Sequence, residues 1–388
     1  LSSDGPKAIR LDLDEREVRG VAVSMGGGQA AYAELHDLSG LADALADRGA
    51  PKWTHDAKDL EAAVVAEGRS LGGIATDTML AAYLLDPAAP SFELQPLSEQ
   101  YLGTDVLGSV AEEAEGQLFG DSWRKTAAGA AAVALLAPVL DERIDKAGLR
   151  RLLDDVELPL SSVLARMQAH GVALDVAYLE EMAEGVRDTM ATLQARIYEL
   201  AGEEFNLNSP PQLRAILYDK LRLSPGKKTP KGQLSTDASV LEKLRDMHPI
   251  VDAILSWREL DKLNSTYLDA LPKQVDPRDG RVHTTFNQTG AATGRLSSTN
   301  PNLQNIPVRG ELGRQIRRAF VPGSKEDVLL VADYSQIELR ILAHLSGDEG
   351  LKAAFESGTD IHTATSARVF GLPEDQADPA TRSRAKAI

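Results

Sequence analysis

The chain has 388 residues, no cysteine, and 42 Lys plus Arg against 58 Asp plus Glu, a formal net charge of -16. That length accommodates two or three domains with cores of their own, and the lack of cysteine excludes disulfides, thiol nucleophiles and thiolate metal sites. Residues 1–146 carry 12 basic against 25 acidic side chains and 147–388 carry 30 against 33, while 207–235 and 280–325 hold six and seven cations against one acid each; an acidic chain is a poor general binder of polyanions, but such local patches can still hold phosphate.

In chain order, residues 8–35 alternate as three short strands separated by Gly-rich or charged turns. Helical stretches follow near 38–48, 56–67 and 76–85, so the first part reads as a mixed α/β domain, with Asp56, Asp59 and Asp77 as caps and solvated charges. The most apolar window, 127–140, is interrupted by Gly129 and Pro138 and is shorter than the roughly 20 residues a bilayer needs. No secretory signal is present, and the start at Leu1 without Met predicts a processed or recombinant fragment. Residues 149–200 predict two long amphipathic helices, with Leu152, Leu153, Val156 and Leu160 at helical spacing and an interruption at 171–175. Ser209 and Pro210 mark a further helix start. The segment PGKKTPKGQLST reads as a solvated basic loop carrying Lys227, Lys228 and Lys231, and 238–263 as one helix containing Trp257, Arg258 and Lys262. HTTFNQTGAATGRLSSTNPNLQNIP has few large apolar residues, which predicts loops built from side-chain-to-backbone turns.

Residues 328–331, Val-Leu-Leu-Val flanked by charge, predict a strand covered on both faces. Asp333 follows it, and Ile337, Leu339, Ile341, Leu342 and Leu345 then have helical spacing. Two readings stand side by side. Ser335 to Glu338 fits a capping box and Asp333 a turn, whereas a rigidly held carboxylate that reaches solvent also suits a hard cation. Further on, Asp378 and Pro379 form a helix-start signal, and Arg382 and Lys386 share one face of that helix, which as a bare pattern is a solvated face.

The string DYSQIELR at 333–340 resembles the first catalytic motif of family A DNA polymerases, the bacterial DNA polymerase I group. FNLNSP at 205–210, LNSTYLDALP at 263–272, ATGRLSSTNPNLQNIPVRG at 292–310 and DIHTATS at 360–366 follow that family's order, and RSRAK at 382–386 is similar to the opening of its second motif. The resemblance is strong over 150–388 and weak before it. It implies an α/β multidomain fold: a ribonuclease H-like 3'-5' exonuclease-type domain followed by a right-hand polymerase domain with a helical thumb, a palm with an antiparallel sheet and the start of the fingers. The expected divisions are 1–146, a palm entry helix at 147–172, thumb at 173–262, palm at 263–350 and fingers at 351–388. In the first domain TDTMLAAYLLDP matches a non-catalytic landmark, but the active-site pattern departs. Asp12 and Asp14 do not align with the family's Asp-x-Glu, its next Asp falls on Leu60, and its Tyr and Asp fall on Thr126 and Ala130. A two-metal nuclease without its carboxylates cannot hold its metals, so this domain is expected to be an inactive scaffold.

The resemblance implies DNA-templated addition of dNTPs to a primer 3'-OH by two-metal phosphoryl transfer, with two Mg2+ ions and Mn2+ able to substitute. Asp333 and the Tyr334 carbonyl would hold metal. Gln336, Glu338, His362, Arg382 and Lys386 would bind the nucleotide, Glu338 as the gate that excludes a 2'-OH and the two cations on the triphosphate. Lys227, Lys228 and Lys231 would touch duplex phosphates, and Arg295 the minor groove, where acceptors recur in every correct pair, alongside Lys262, Asn264, Asn302, Gln304 and Asn305. The expected partners are primer-template DNA and dNTPs, with no membrane, in a monomer of the bacterial cytoplasm associated with the nucleoid. The segment is expected to end inside the second motif, without the second metal carboxylate or an upstream 5' nuclease domain, and to be inactive alone. The alternatives are a metal-dependent 3'-5' nuclease and a non-catalytic scaffold that binds duplex DNA.

Overall fold

The alternating apolar residues of the first 35 positions form antiparallel strands β1 (Lys7–Asp14), β2 (Glu17–Gly26) and β3 (Gln29–Glu34). A computed structural model describes residues 5–14, 17–107, 122–223, 234–308, 310–357 and 369–371, and the chain divides into a unit Leu1–Lys325 and a unit Glu326–Ile388. In the first unit β4 (Lys52–Thr54) and β5 (Ile74–Asp77) extend the sheet in parallel, in the order β3-β2-β1-β4-β5. Successive side chains of a strand face opposite ways, and β1 shows it. Ala8 packs among Leu80, Leu97, Leu136 and Leu140, whereas Ile9 packs among Val21, Leu45 and Val64.

The helices α1 (Ala42–Ala46), α2 (Ala57–Ala66) and α3 (Thr78–Leu85) lie where helical stretches are expected, and a fourth, α4 (Leu94–Leu102), forms where none is expected. Asp77 is a cap, as read from the sequence, but not a solvated one. It is fully buried and caps two helices at once, accepting from Asp56 N (3.2 Å) and Ala57 N (2.6 Å) at α2 and from Met79 N (2.8 Å) and Leu80 N (3.3 Å) at α3. Asp56 caps α2 through Asp59 N (3.1 Å), and only Asp59 is exposed. Gly129 and Pro138 do not interrupt the apolar window; both lie inside one helix, Ser122–Lys146, most of whose Ala and Leu residues are buried. Burial of that face outweighs the one hydrogen bond that proline forfeits. Among the described residues no helix is long and apolar enough to cross a membrane.

After Arg150 a helical run with a π-turn at Leu153–Glu157 leads into the helix Leu158–His170, then β6 (Val172–Leu174) and the helix Val176–Ala201. Ser209 takes the cap position before Pro210–Arg214, without a side-chain cap bond. The single helix expected over 238–263 is broken into Ala238–Leu241, a 3-10 turn Glu242–Met247 and the helix Pro249–Leu263. The cause is Pro249, which drives the residue before it out of helical geometry: His248 is extended at φ -159 and its Nδ1 accepts from Ile250 N (3.2 Å). Trp257, Ile254, Leu213 and Leu217 share one core, and Leu179, Leu263, Tyr267 and Ile316 a second. Beside the second, β7 (Val275–Asp276), β8 (Arg281–Val282) and β11 (Phe320–Val321) join β6 in an antiparallel sheet ordered β11-β6-β8-β7. β9 (Thr285–Asn287) and β10 (Ser297–Thr299) form a separate hairpin.

In the second unit the buried strand expected at 328–331 does not form. These residues are irregular and outward-facing, with Val328, Leu330 and Val331 84%, 88% and 91% exposed. No described residue of this unit belongs to a strand, so the run has no ladder in which to satisfy its backbone groups. The helix Ile337–Ser346 does form, yet of its residues Ala343 alone is buried. The capping box does not: Gln336 holds the cap position at φ 54 with no side-chain cap bond.

Candidate functional site

In the first unit the β9–β10 hairpin and the turns after it carry four of the predicted DNA contacts, Arg295, Asn302, Gln304 and Asn305, while Asn264 follows the helix Pro249–Leu263. Thr284 and Ser298 are buried and joined at 2.7 Å, and the Thr299 (3.0 Å) and Pro301 (2.7 Å) carbonyls both lie within hydrogen-bonding reach of Thr284 Oγ1. These side-chain-to-backbone bonds build the loop as its composition predicts. Arg295 is exposed. Asn302 Oδ1 accepts from Gln304 N (3.1 Å), Gln304 Nε2 donates to the Leu296 carbonyl (3.0 Å), and the Asn305 carbonyl accepts from the Tyr267 hydroxyl. Lys262 is exposed at the end of the helix Pro249–Leu263. Asn264 is buried instead, with Nδ2 committed to Asp269 (2.8 Å) and Oδ1 without a hydrogen-bond partner.

In the second unit Asp333 and Tyr334 are exposed ahead of the helix Ile337–Ser346, and Glu338 is exposed in its first turn. Arg340, which sequence reasoning passed over, holds this loop. Its Nε donates to the Ser335 carbonyl (2.9 Å), its backbone N to the Gln336 carbonyl (3.0 Å), and its guanidinium lies 4.5 Å from the centre of the Phe355 ring. The signal was present as the last residue of DYSQIELR. Lys227, Lys228, Lys231, His362, Arg382 and Lys386 lie outside the described residues.

The structure describes the residues that the resemblance sets against the nuclease pattern. Leu60 and Ala130 are buried, and Thr126 donates its hydroxyl to the Ser122 carbonyl (3.0 Å). Asp12 is buried and accepts from Tyr32 (2.9 Å) and Ser122 (2.8 Å) hydroxyls; burial and then that bond push the Tyr32 phenol up to about 12. Arg10 fills the space beside Gly129, where a Cβ would lie 2.9 Å from its Cδ, and burial lowers its pKa while Asp56 and Glu93 oppose that shift. Among the described residues one group of three potential metal ligands occurs, Asp276, Asp279 and His283, and its atoms are engaged. His283 bridges the Gln168 carbonyl (2.6 Å) and Asp279 (3.0 Å), and Asp276 pairs with Arg278 at 2.6 Å.

A family model described as DNA polymerase family A matches residues 176–388, and one described as the ribonuclease H-like domain of DNA polymerase I matches 15–110. The chain is 49% identical over 336 residues to the thermostable DNA polymerase I of Thermus aquaticus, covering 86% of this chain and 38% of that protein. It is 41% identical over 381 residues to the DNA polymerase I of Mycobacterium tuberculosis, covering 95% and 42%. This chain thus spans about two fifths of each relative. Among solved structures it is similar to the POL domain of Pol1 from M. smegmatis in complex with DNA primer-template and dNTP, with TM-score 0.88 and 39% identity over 98% of this chain and 66% of that one.

Proposed function

The chain belongs to DNA polymerase family A, with a ribonuclease H-like domain ahead of its polymerase part, and from that premise we propose that it forms part of an enzyme that extends a primer 3'-OH on a DNA template. The observation that carries the reading is DYSQIELR, placed inside the family match with Asp333 and Tyr334 exposed at a helix start and the loop braced by Arg340. Residues 1–146 serve as an exonuclease-type domain without activity, 147–172 as the entry helix, 173–262 as thumb, 263–350 as palm and 351–388 as the beginning of the fingers.

Family A polymerases are metal-dependent. The oxygen donors of Asp333 and Tyr334 fit a hard divalent ion, and two such ions, Mg2+ in this reading, would supply activation of the attacking oxygen and stabilisation of the leaving one. The protein's own part is positional. Asp333 presents a carboxylate to solvent on a loop whose carbonyls are tied to Arg340. Gln336 and Glu338 flank the incoming sugar, where the Glu338 side chain selects against a 2'-OH. His362, Arg382 and Lys386 hold the triphosphate and leaving pyrophosphate. Arg295 senses the minor-groove acceptors of the terminal pair, Lys262, Asn302, Gln304 and Asn305 line the same duplex, and Lys227, Lys228 and Lys231 hold its phosphates further back. Asn264 drops out of this set, because its amide nitrogen is bonded to Asp269 and its Oδ1 is buried. The absence of nuclease activity follows from Leu60, Thr126 and Ala130, which offer no carboxylate. The enzyme acts as a monomer on nucleoid DNA in the bacterial cytoplasm.

Primer extension with Mg2+ and dNTPs, comparing the full-length protein with its Asp333→Ala variant, tests this. The expected result is extension that falls by about a hundred- to thousandfold in the variant, the scale of losing one group that stabilises the transition state, with no 3' shortening in either. Undiminished extension in the variant overturns the role of Asp333. Shortening that persists in it makes the first domain a working nuclease.

A further inference from the structure

Residues 288–296 connect β9 to β10 and are fixed at three points from outside the loop. Gln288 is 4% exposed, and its Nε2 donates to the carbonyl (3.1 Å) and Oε2 (3.0 Å) of Glu157. At the far end the Leu296 carbonyl accepts from Gln304 (3.0 Å). The middle point comes from the ribonuclease H-like domain. The Tyr83 hydroxyl on α3 donates to the Ala291 carbonyl at 2.7 Å, across 208 residues of sequence. Tyr83 is 3% exposed and its ring meets Phe92 edge-on, centres 5.6 Å apart. Packing and the Asp77 cap on α3 therefore aim the phenol independently of the loop.

The carbonyl it grips is the one that closes the turn before Arg295: Gly294 N also donates to it (3.3 Å), with Gly294 at φ +78. Fixing Ala291 thus fixes the direction in which the chain delivers Arg295. Glu61 of α2 accepts from Ser162 (2.6 Å) on the helix Leu158–His170, so the two parts are also bound together at a second point. The phenol brings no charge to the contact, whereas the domain it belongs to is strongly acidic and a carboxylate there would repel a nearby phosphate.

We propose that Tyr83 is a positioning residue for duplex binding, through which the ribonuclease H-like domain sets the turn that presents Arg295 to primer-template DNA. This rests on the polymerase reading above. A loop ordered before binding loses less conformational freedom on binding, and the gain appears as affinity.

The test uses the full-length protein with Tyr83→Phe, which keeps the ring and deletes the hydroxyl. Hydrogen exchange of amides 289–296 is expected to accelerate, and the Kd for a primer-template duplex to rise about two- to tenfold, the effect of one net hydrogen bond, with the KM for dNTP unchanged. In an Arg295→Ala background the same substitution is expected to leave Kd unaltered. Unchanged exchange in the loop, or an equal loss of affinity with and without Arg295, overturns the proposal. If Arg295→Ala itself leaves duplex affinity intact, the assignment of this loop to DNA falls together with it. A strong Arg295 effect with none from Tyr83→Phe removes the positioning role alone.

Discussion

Acidification should loosen the ribonuclease H-like domain through His55, whose side chain packs between β4 and α3. Its Nδ1 lies 2.9 Å from Thr78 Oγ1, and burial, with the Arg10 charge assisting, brings its pKa from 6.5 down to about 3. A cation disfavoured in the folded state gives stability that is complete above pH 6.5 and lost as pH falls toward 3. Between pH 7 and pH 5 only the unfolded chain takes up this proton, which lowers stability by about 2 kcal/mol. Asp56 and Asp77 act with the opposite sign. Burial raises both above 3.8, so their favourable share is full at low pH and is lost as pH rises through the folded values. The diagnostic quantity is therefore the difference between wild type and His55→Gln. Native-state hydrogen exchange of β4 and α2 amides, corrected for the intrinsic rate at each pH, should show the wild type losing about 2 kcal/mol more than the variant between pH 7 and pH 5. Equal losses would refute the argument, because His55 would then carry its proton in the fold.

Three further outcomes follow from named contacts. Lys52 is fully buried, with Nζ donating to the Asp47 (2.7 Å), Ala50 (2.9 Å) and Gly72 (2.8 Å) carbonyls; Lys52→Met should cost about 3 kcal/mol, read as a lower urea midpoint. Leu60→Asp places a carboxylate at a position 6% exposed and should destabilise by roughly 3 kcal/mol, yet labelled primers should keep their 3' ends because Thr126 and Ala130 still supply no ligand. Arg340→Ala removes the brace on the Ser335 carbonyl and the Phe355 contact. Single-turnover extension should slow by about tenfold, the loss of one charge-assisted hydrogen bond, while an unaltered rate would mean the loop is held without it.

Much of this molecule was determined by sequence alone because its determinants are local. The strands β1 to β3 follow from alternation, α2 and α3 from capping aspartates before apolar runs, and the helix Ile337–Ser346 from its spacing. DYSQIELR pointed to the family because the residues of that motif are contiguous in the chain. The same local reasoning missed whatever depends on a distant partner. Asp77 reads as a surface cap, and only the approach of α2 to α3 makes it a buried acceptor of four backbone amides. Residues 328–331 have the composition of a buried strand, but a strand exists only where another lies beside it, and the unit that contains them offers none among its described residues. Asn264 reads as a DNA contact until Asp269 claims its amide. Tyr83, inside a helix with no chemistry of its own, meets the Ala291 carbonyl only because two domains pack there. Sequence determines what each segment prefers by itself; tertiary structure decides which carboxylates are dry, which backbone groups find partners and which loops are held, since those energies depend on atoms hundreds of residues apart.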